Sequence, residues 1–131
     1  FRSIFGSISD AEVLAYALEK ETRYQEIYRN FMKPVDGLIP FLETLRSRGK
    51  KLALGTSAPT TNVVFTLDSL NLRNYFDCII DGSQVKLGKP NPEVYLLCAK
   101  GIDLPPNECV VFEDAILGIQ AGKAAGCTVI G

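Results

Sequence analysis

The stretch Val110–Gly126, VVFEDAILGIQAGKAAG, decides the fold. A short apolar run from Cys109 to Phe112 is cut off by Glu113 and Asp114. A helical pattern of small and aliphatic residues follows at once, from Ala115 to Ala125, with Gly126 as its stop. Such a run reads as a buried strand entering a turn that opens a helix. Thr128 to Ile130 begins the next strand, so the unit is strand, helix, strand.

Upstream the same alternation repeats. Leu52 to Gly55 lies between a helix stop at Gly49 and the polar turn Thr56–Ser57, and reads as another buried strand. A helix starting at Thr60 or Thr61 carries Val63, Val64, Leu67 and Leu70. Phe76 to Ile80 is a strand ending at Asp81 and Gly82. Asn91 and Pro92 cap a helix with Val94, Tyr95, Leu97 and Cys98 on its apolar side. Strands separated by helices of this length imply right-handed crossovers, hence an α/β fold with a doubly wound parallel sheet and helices on both faces.

Before Pro34 the pattern is purely helical. Ser9 and Glu12 form a capping box ahead of Val13, Leu14, Ala17 and Leu18, then Tyr24, Ile27, Tyr28 and Phe31, giving one or two amphipathic helices. Pro34 to Gly37 is the candidate hinge, followed by a helix with Leu38, Phe41, Leu42 and Leu45 on one face.

Composition narrows the function. The 131 residues are 47% apolar and 22% charged, as in a globular domain. A net charge of -1 with no basic run gives nothing to attract nucleic acid or an anionic membrane. The chain has no histidine, which removes Ser-His and Cys-His nucleophile systems and His-ligated zinc. Cys78, Cys98, Cys109 and Cys127 are scattered without a CxxC pair and read as free thiols of a reducing, cytoplasmic compartment. No apolar run approaches a membrane span. The chain opens at Phe1, inside what reads as a helical region, so a longer parent is expected.

In a parallel sheet, ligands bind outside the carboxyl ends of the strands. The residues there are Thr56 and Ser57, Asp81 and Gly82, and Glu113 and Asp114, with Lys89 in the loop after the second strand. Hydroxyls and backbone N–H groups hold phosphate oxygens, a lysine offsets their charge, and adjacent carboxylates suit a hard cation such as Mg²⁺. Each has a plainer use: Thr56 and Ser57 as helix caps, Asp114 as cap of the helix at Ala115, Lys89 as a solvated surface lysine, Asp81–Gly82 as a turn. Tyr24, Tyr28 and Phe31 suit a core or interface stripe. The order of the signals on successive strand ends favours phosphoryl chemistry.

LALGTSAP (52–59), GKPNPEVY (88–95) and VVFEDAILGIQAGKAAG resemble, in sequence and spacing, the second, third and fourth motifs of the haloacid dehalogenase superfamily, in its phosphatase and β-phosphoglucomutase-like branch. The resemblance covers residues 34–131 as the α/β core and implies that residues 1–33 are the remnant of an α-helical cap. It makes Thr56 the hydroxyl on the transferring phosphoryl group, with Ser57 beside it. Lys89 would stabilise the charge of nucleophile and phosphoryl oxygens. Asp114 would be the Mg²⁺ ligand, with Glu113 an additional ligand or its outer partner.

The chain departs from the family at the first motif, an Asp-x-Asp strand whose first Asp attacks phosphorus. Neither Asp10 nor Asp36 follows an apolar strand. In the family that strand lies between those that here are Lys51 to Gly55 and Cys109 to Phe112. The core is thus expected to be incomplete, with the nucleophile on a segment outside these residues, and the 131 residues alone to be inactive and prone to aggregate through open edges. The implied activity is a cytoplasmic, Mg²⁺-dependent phosphatase of small phosphorylated metabolites acting through an aspartyl-phosphate. The alternatives are a β-phosphoglucomutase-type mutase and a non-catalytic module of the same fold. In the mutases a serine and a lysine follow the hydroxyl motif, where this chain has Ala58 and Pro59, which tilts the reading toward hydrolysis.

Overall fold

The computed structural model describes residues 6–131 and divides at Lys33/Pro34 into two compact units. The opening residues at Phe1, read above as helical, lie outside the described residues. Among the described residues the first unit holds one helix, α1 (Asp10–Tyr28). Its start is the expected capping box: the Glu12 N–H donates to Ser9 Oγ at 3.2 Å, and the Ser9 N–H donates back to Glu12 Oε2 at 2.8 Å. Tyr24 and Tyr28 stack one turn apart with centroids 5.2 Å apart, while Phe31 beyond the helix is 74% exposed.

The second unit runs α2 (Leu38–Ser47), β1 (Ala53–Gly55), α3 (Thr60–Ser69), β2 (Cys78–Ile80), α4 (Glu93–Gly101), β3 (Val110–Phe112), α5 (Ile116–Ala124) and β4 (Thr128–Ile130), with single 3-10 turns at Arg73–Tyr75 and Pro106–Glu108. All pairing is parallel. β1 pairs with β2 in the register Ala53↔Cys78, Leu54↔Ile79, Gly55↔Ile80. β3 pairs with β4 in the register Val110↔Thr128, Val111↔Val129, Phe112↔Ile130. The described strands thus form two two-stranded sheets, and β1 and β3 carry no ladder between them.

The period-2 alternation of β1 and β2 sorts the core. Ala53, Cys78 and Ile80 pack with Val94, Tyr95 and Cys98 of α4 and with Val111, Ala121 and Ala125. Leu54 and Ile79, on the opposite face, pack with Leu42 of α2 and Val63 and Leu67 of α3. The first sheet is therefore covered on both faces. β3 buries Val111 and leaves Val110 and Phe112 about half exposed, at 53% and 58%. Gly126 ends α5 in the left-handed region, φ 86°, a position that favours glycine.

All four cysteines are free, with Cys98 buried and the other three half-buried. Burial, with Cys78 nearby, pushes the Cys98 thiol up to about 12, so it stays protonated and packs as a small apolar group. No described helix is long and apolar enough to cross a membrane.

Candidate functional site

Thr56 follows β1, and its N–H continues the ladder to the Ile80 carbonyl at 2.9 Å. Its side chain caps no helix. Instead Oγ1 accepts the Ala58 N–H at 3.1 Å, which fixes the hydroxyl oxygen in its own turn and keeps the O–H as a donor for an acceptor beyond it. The expected capping use of Thr56 and Ser57 does not occur, because α3 starts from Pro59 with no side-chain cap. The turn is clamped from the other side by the Gly82 N–H, which donates to the Ala58 carbonyl at 2.9 Å.

Asp81, 6% exposed, is a buried anchor of the β2 end. Its Oδ2 accepts Thr60 Oγ1 at 2.7 Å, and its Oδ1 accepts the Ser83 hydroxyl at 2.6 Å and the Ser83 N–H at 2.8 Å. The Ser83 hydroxyl, foremost, lowers its pKa against the opposing effect of burial. Asp81 therefore ties the start of α3 to β2 as a charged turn residue.

Lys89 sits in a loop pinned to α4 by Glu93, whose Oε2 accepts the Lys86 and Leu87 N–H groups, each at 2.9 Å. The first turn of α4 begins one residue later than its cap residues suggest. Pro92 occupies the cap position, while Asn91 Oδ1 still accepts the Glu93 N–H at 3.0 Å. Lys89 is not a solvated surface lysine: its side chain is 15% exposed, and Nζ donates to Glu113 Oε2 at 2.5 Å. Glu113, at 11%, also receives the Tyr95 hydroxyl on Oε2 and the Ala115 N–H on Oε1 at 3.2 Å. Burial alone would raise its pKa, but the hydrogen bonds from Lys89, Tyr95 and Ala115 outweigh it and bring it below the ordinary carboxylate value.

Asp114 does not cap α5. Ala115 holds the cap position with no side-chain bond, and it is Glu113 that reaches the Ala115 N–H. Asp114 is exposed and lines an open cleft of about 570 Å³ together with Gly55, Thr56, Lys89, Phe112 and Glu113. Four of the expected site residues thus surround one cleft between the ends of β1 and β3, while Ser57 is not among its lining residues. Among the described residues no three Cys, Asp or Glu side chains cluster closely enough to hold a metal by themselves. Mg²⁺ ordinarily takes one or two carboxylates and completes its shell with substrate phosphate and water, so an exposed Asp114 on this open cleft fits it.

Two residues of this cluster escape sequence reading. Tyr95 reads as core by its helical spacing, and only its position three residues after Pro92 in the lysine motif signals otherwise. Gly118 reads as one small residue among many, yet a Cβ built there would lie 2.5 Å from Glu113 Cγ.

A family model described as haloacid dehalogenase-like hydrolase matches residues 4–126. A phosphorylated carbohydrates phosphatase of Thermotoga maritima is 40% identical over 102 residues, 78% of this chain and 47% of its own length. A fructose-1-phosphate phosphatase of Escherichia coli is 35% identical over 124 residues, 93% of this chain and 64% of its own. The crystal structure of a β-phosphoglucomutase from Clostridium difficile superposes with a TM-score of 0.83 at 32% identity, covering 96% of this chain and 56% of that one. The chain spans between about half and just under two thirds of the length of these relatives.

Proposed function

The chain belongs to the haloacid dehalogenase-like hydrolases, and from that premise we propose that its cleft receives the phosphoryl group of a small phosphorylated metabolite, which the parent protein hydrolyses in the cytoplasm. The observation that carries the reading is the meeting of Thr56, Lys89, Glu113 and Asp114 around one cleft, from β1, the loop before α4, and β3.

Thr56 donates its hydroxyl to a phosphoryl oxygen while the Ala58 N–H holds it in place. Lys89 has three N–H donors and gives one to Glu113, so two remain for the charge that develops on the phosphoryl oxygens. Asp114 holds Mg²⁺, with Glu113 beside it as a further ligand or outer partner. When bound, the cation neutralises phosphoryl charge and orients the group for in-line attack. The nucleophile is an aspartate on a segment outside these 131 residues: its carboxylate bonds to phosphorus as the bond from phosphorus to the metabolite's oxygen breaks and the dephosphorylated alcohol leaves, and water then cleaves the aspartyl-phosphate to inorganic phosphate and the free aspartate. Residues 1–33 belong to the helical cap and residues 34–131 to the core.

A mutase is the second reading, favoured by the likeness to the β-phosphoglucomutase structure. Release of inorganic phosphate from sugar phosphates and phosphoglycolate, measured beside interconversion of hexose phosphates, separates the two. Hydrolysis predicts phosphate release that EDTA abolishes and Mg²⁺ restores. Mutase turnover in excess of phosphate release, or activity indifferent to EDTA, contradicts it.

A further inference from the structure

Tyr95 touches both members of the Lys89–Glu113 pair. From the first turn of α4 its hydroxyl donates to Glu113 Oε2, the same oxygen that Lys89 Nζ binds, and its ring face lies 4.9 Å from that Nζ. The residue is 7% exposed and packs in the core between β1 and α4. A phenylalanine would fill that space equally well, so the hydroxyl is present for its partner. Gly118 leaves the room that Glu113 occupies, since a Cβ there would overlap its carboxylate.

A lysine ends in a point charge on a flexible four-carbon stem, and it aims at a substrate only if something holds it. Among the described residues Glu113 is the one carboxylate bound to Lys89, and its own place is set by Tyr95, the Ala115 N–H and the gap at Gly118. We propose that Tyr95 is a positioning residue. Its hydroxyl anchors Glu113 at the back of the cleft, and its ring supports the ammonium, so that the free donors of Lys89 face the phosphoryl group. This rests on the reading above that Lys89 meets phosphoryl oxygens. Removing the hydroxyl leaves Glu113 held only by the Ala115 N–H and Lys89 itself, so the pair loosens together.

The test uses the parent protein, with Tyr95→Phe, Gly118→Ala and Glu113→Gln alone, and Tyr95→Phe combined with Glu113→Gln. Two readouts are taken: kcat and KM for phosphate release, and the rate at which acetic anhydride acetylates Lys89 relative to the exposed Lys123, read by peptide mass spectrometry. Tyr95→Phe is expected to lower kcat about 10-fold with KM little changed, and to speed Lys89 acetylation about 3-fold through the lost hydrogen bond. Gly118→Ala, which displaces the same carboxylate by overlap, is expected to do likewise. In the Glu113→Gln background, Tyr95→Phe is expected to cost less than about 2-fold, because the group it acts through is already altered. Lys89 acetylation unchanged by Tyr95→Phe, or an equal cost in both backgrounds, overturns the proposal. Absence of any phosphate release from the wild type defeats the phosphatase reading, and the acetylation rates then still decide whether Tyr95 holds Lys89.

Discussion

Replacing Gly82 with alanine puts a methyl group where the structure has none to spare. The new Cβ would lie 2.6 Å from the Ser57 carbonyl oxygen and 3.1 Å from that of Ala58, both backbone atoms. Ordinary contact begins near 3.4 Å, so the Thr56–Ala58 turn must retreat by about 0.8 Å. That movement stretches the bond from the Gly82 N–H to the Ala58 carbonyl, now 2.9 Å. Overpacking of this kind costs about 1 to 3 kcal/mol and the hydrogen bond about 1 kcal/mol, against a gain of roughly 0.5 to 1 kcal/mol from the stiffer unfolded chain. The net loss is about 1 to 3 kcal/mol, taken from the same turn that sets the Thr56 hydroxyl. Urea unfolding read by circular dichroism gives the stability, and the KM for a phosphorylated substrate reports the displaced hydroxyl. A Gly82→Ala protein as stable as the wild type, with an unchanged KM, would refute the claim that β2 clamps the Thr56 turn.

Other perturbations follow from the same geometry. Glu113→Ala strands the Lys89 ammonium, 15% exposed, without its partner. It is expected to cost about 2 to 3 kcal/mol in urea unfolding, with part of the loss recovered in a Lys89→Met, Glu113→Leu double variant. Asp77 is held below the usual carboxylate range first by Arg46, 2.7 Å from both oxygens, and then by the Leu52 N–H. A depressed folded pKa contributes stability that is complete above the unfolded value of about 3.9 and lost as pH falls below it. Arg46→Ala is therefore expected to flatten the acid limb of a stability-against-pH curve, and an unchanged limb would deny the pair that role. Leu67, 3% exposed at the centre of the α2/α3 core, is expected to cost about 2 to 4 kcal/mol on Leu67→Ala, checked by thermal melting.

Where local chemistry sets structure, the chain is readable in advance. The Ser9–Glu12 box, the Gly126 stop and the apolar runs at Ala53–Gly55 and Val110–Phe112 each announce their element, because caps and periodicity act over a few residues. Which strands pair is different. Nothing in the run at Val110–Phe112 says that it ladders with Thr128–Ile130 and not with β1, since register depends on distant neighbours. The rim residues were legible one at a time, as polar groups closing apolar runs. The Lys89–Glu113 bond, across 24 residues, was not, and neither was Tyr95, whose hydroxyl leaves no periodic trace beyond that of any core aromatic. Asp114 followed a similar course: its place before α5 reads as a cap, yet Glu113 takes the Ala115 N–H, and Asp114 is left on the cleft.

The central claim is that this cleft acts on a phosphoryl group through Lys89. Its most direct measurement is kcat for phosphate release by the parent protein and its Lys89→Met variant, with circular dichroism to show that both are folded. The account predicts a loss of about 100-fold or more in a folded variant. A folded Lys89→Met protein that releases phosphate at the wild-type rate would contradict it.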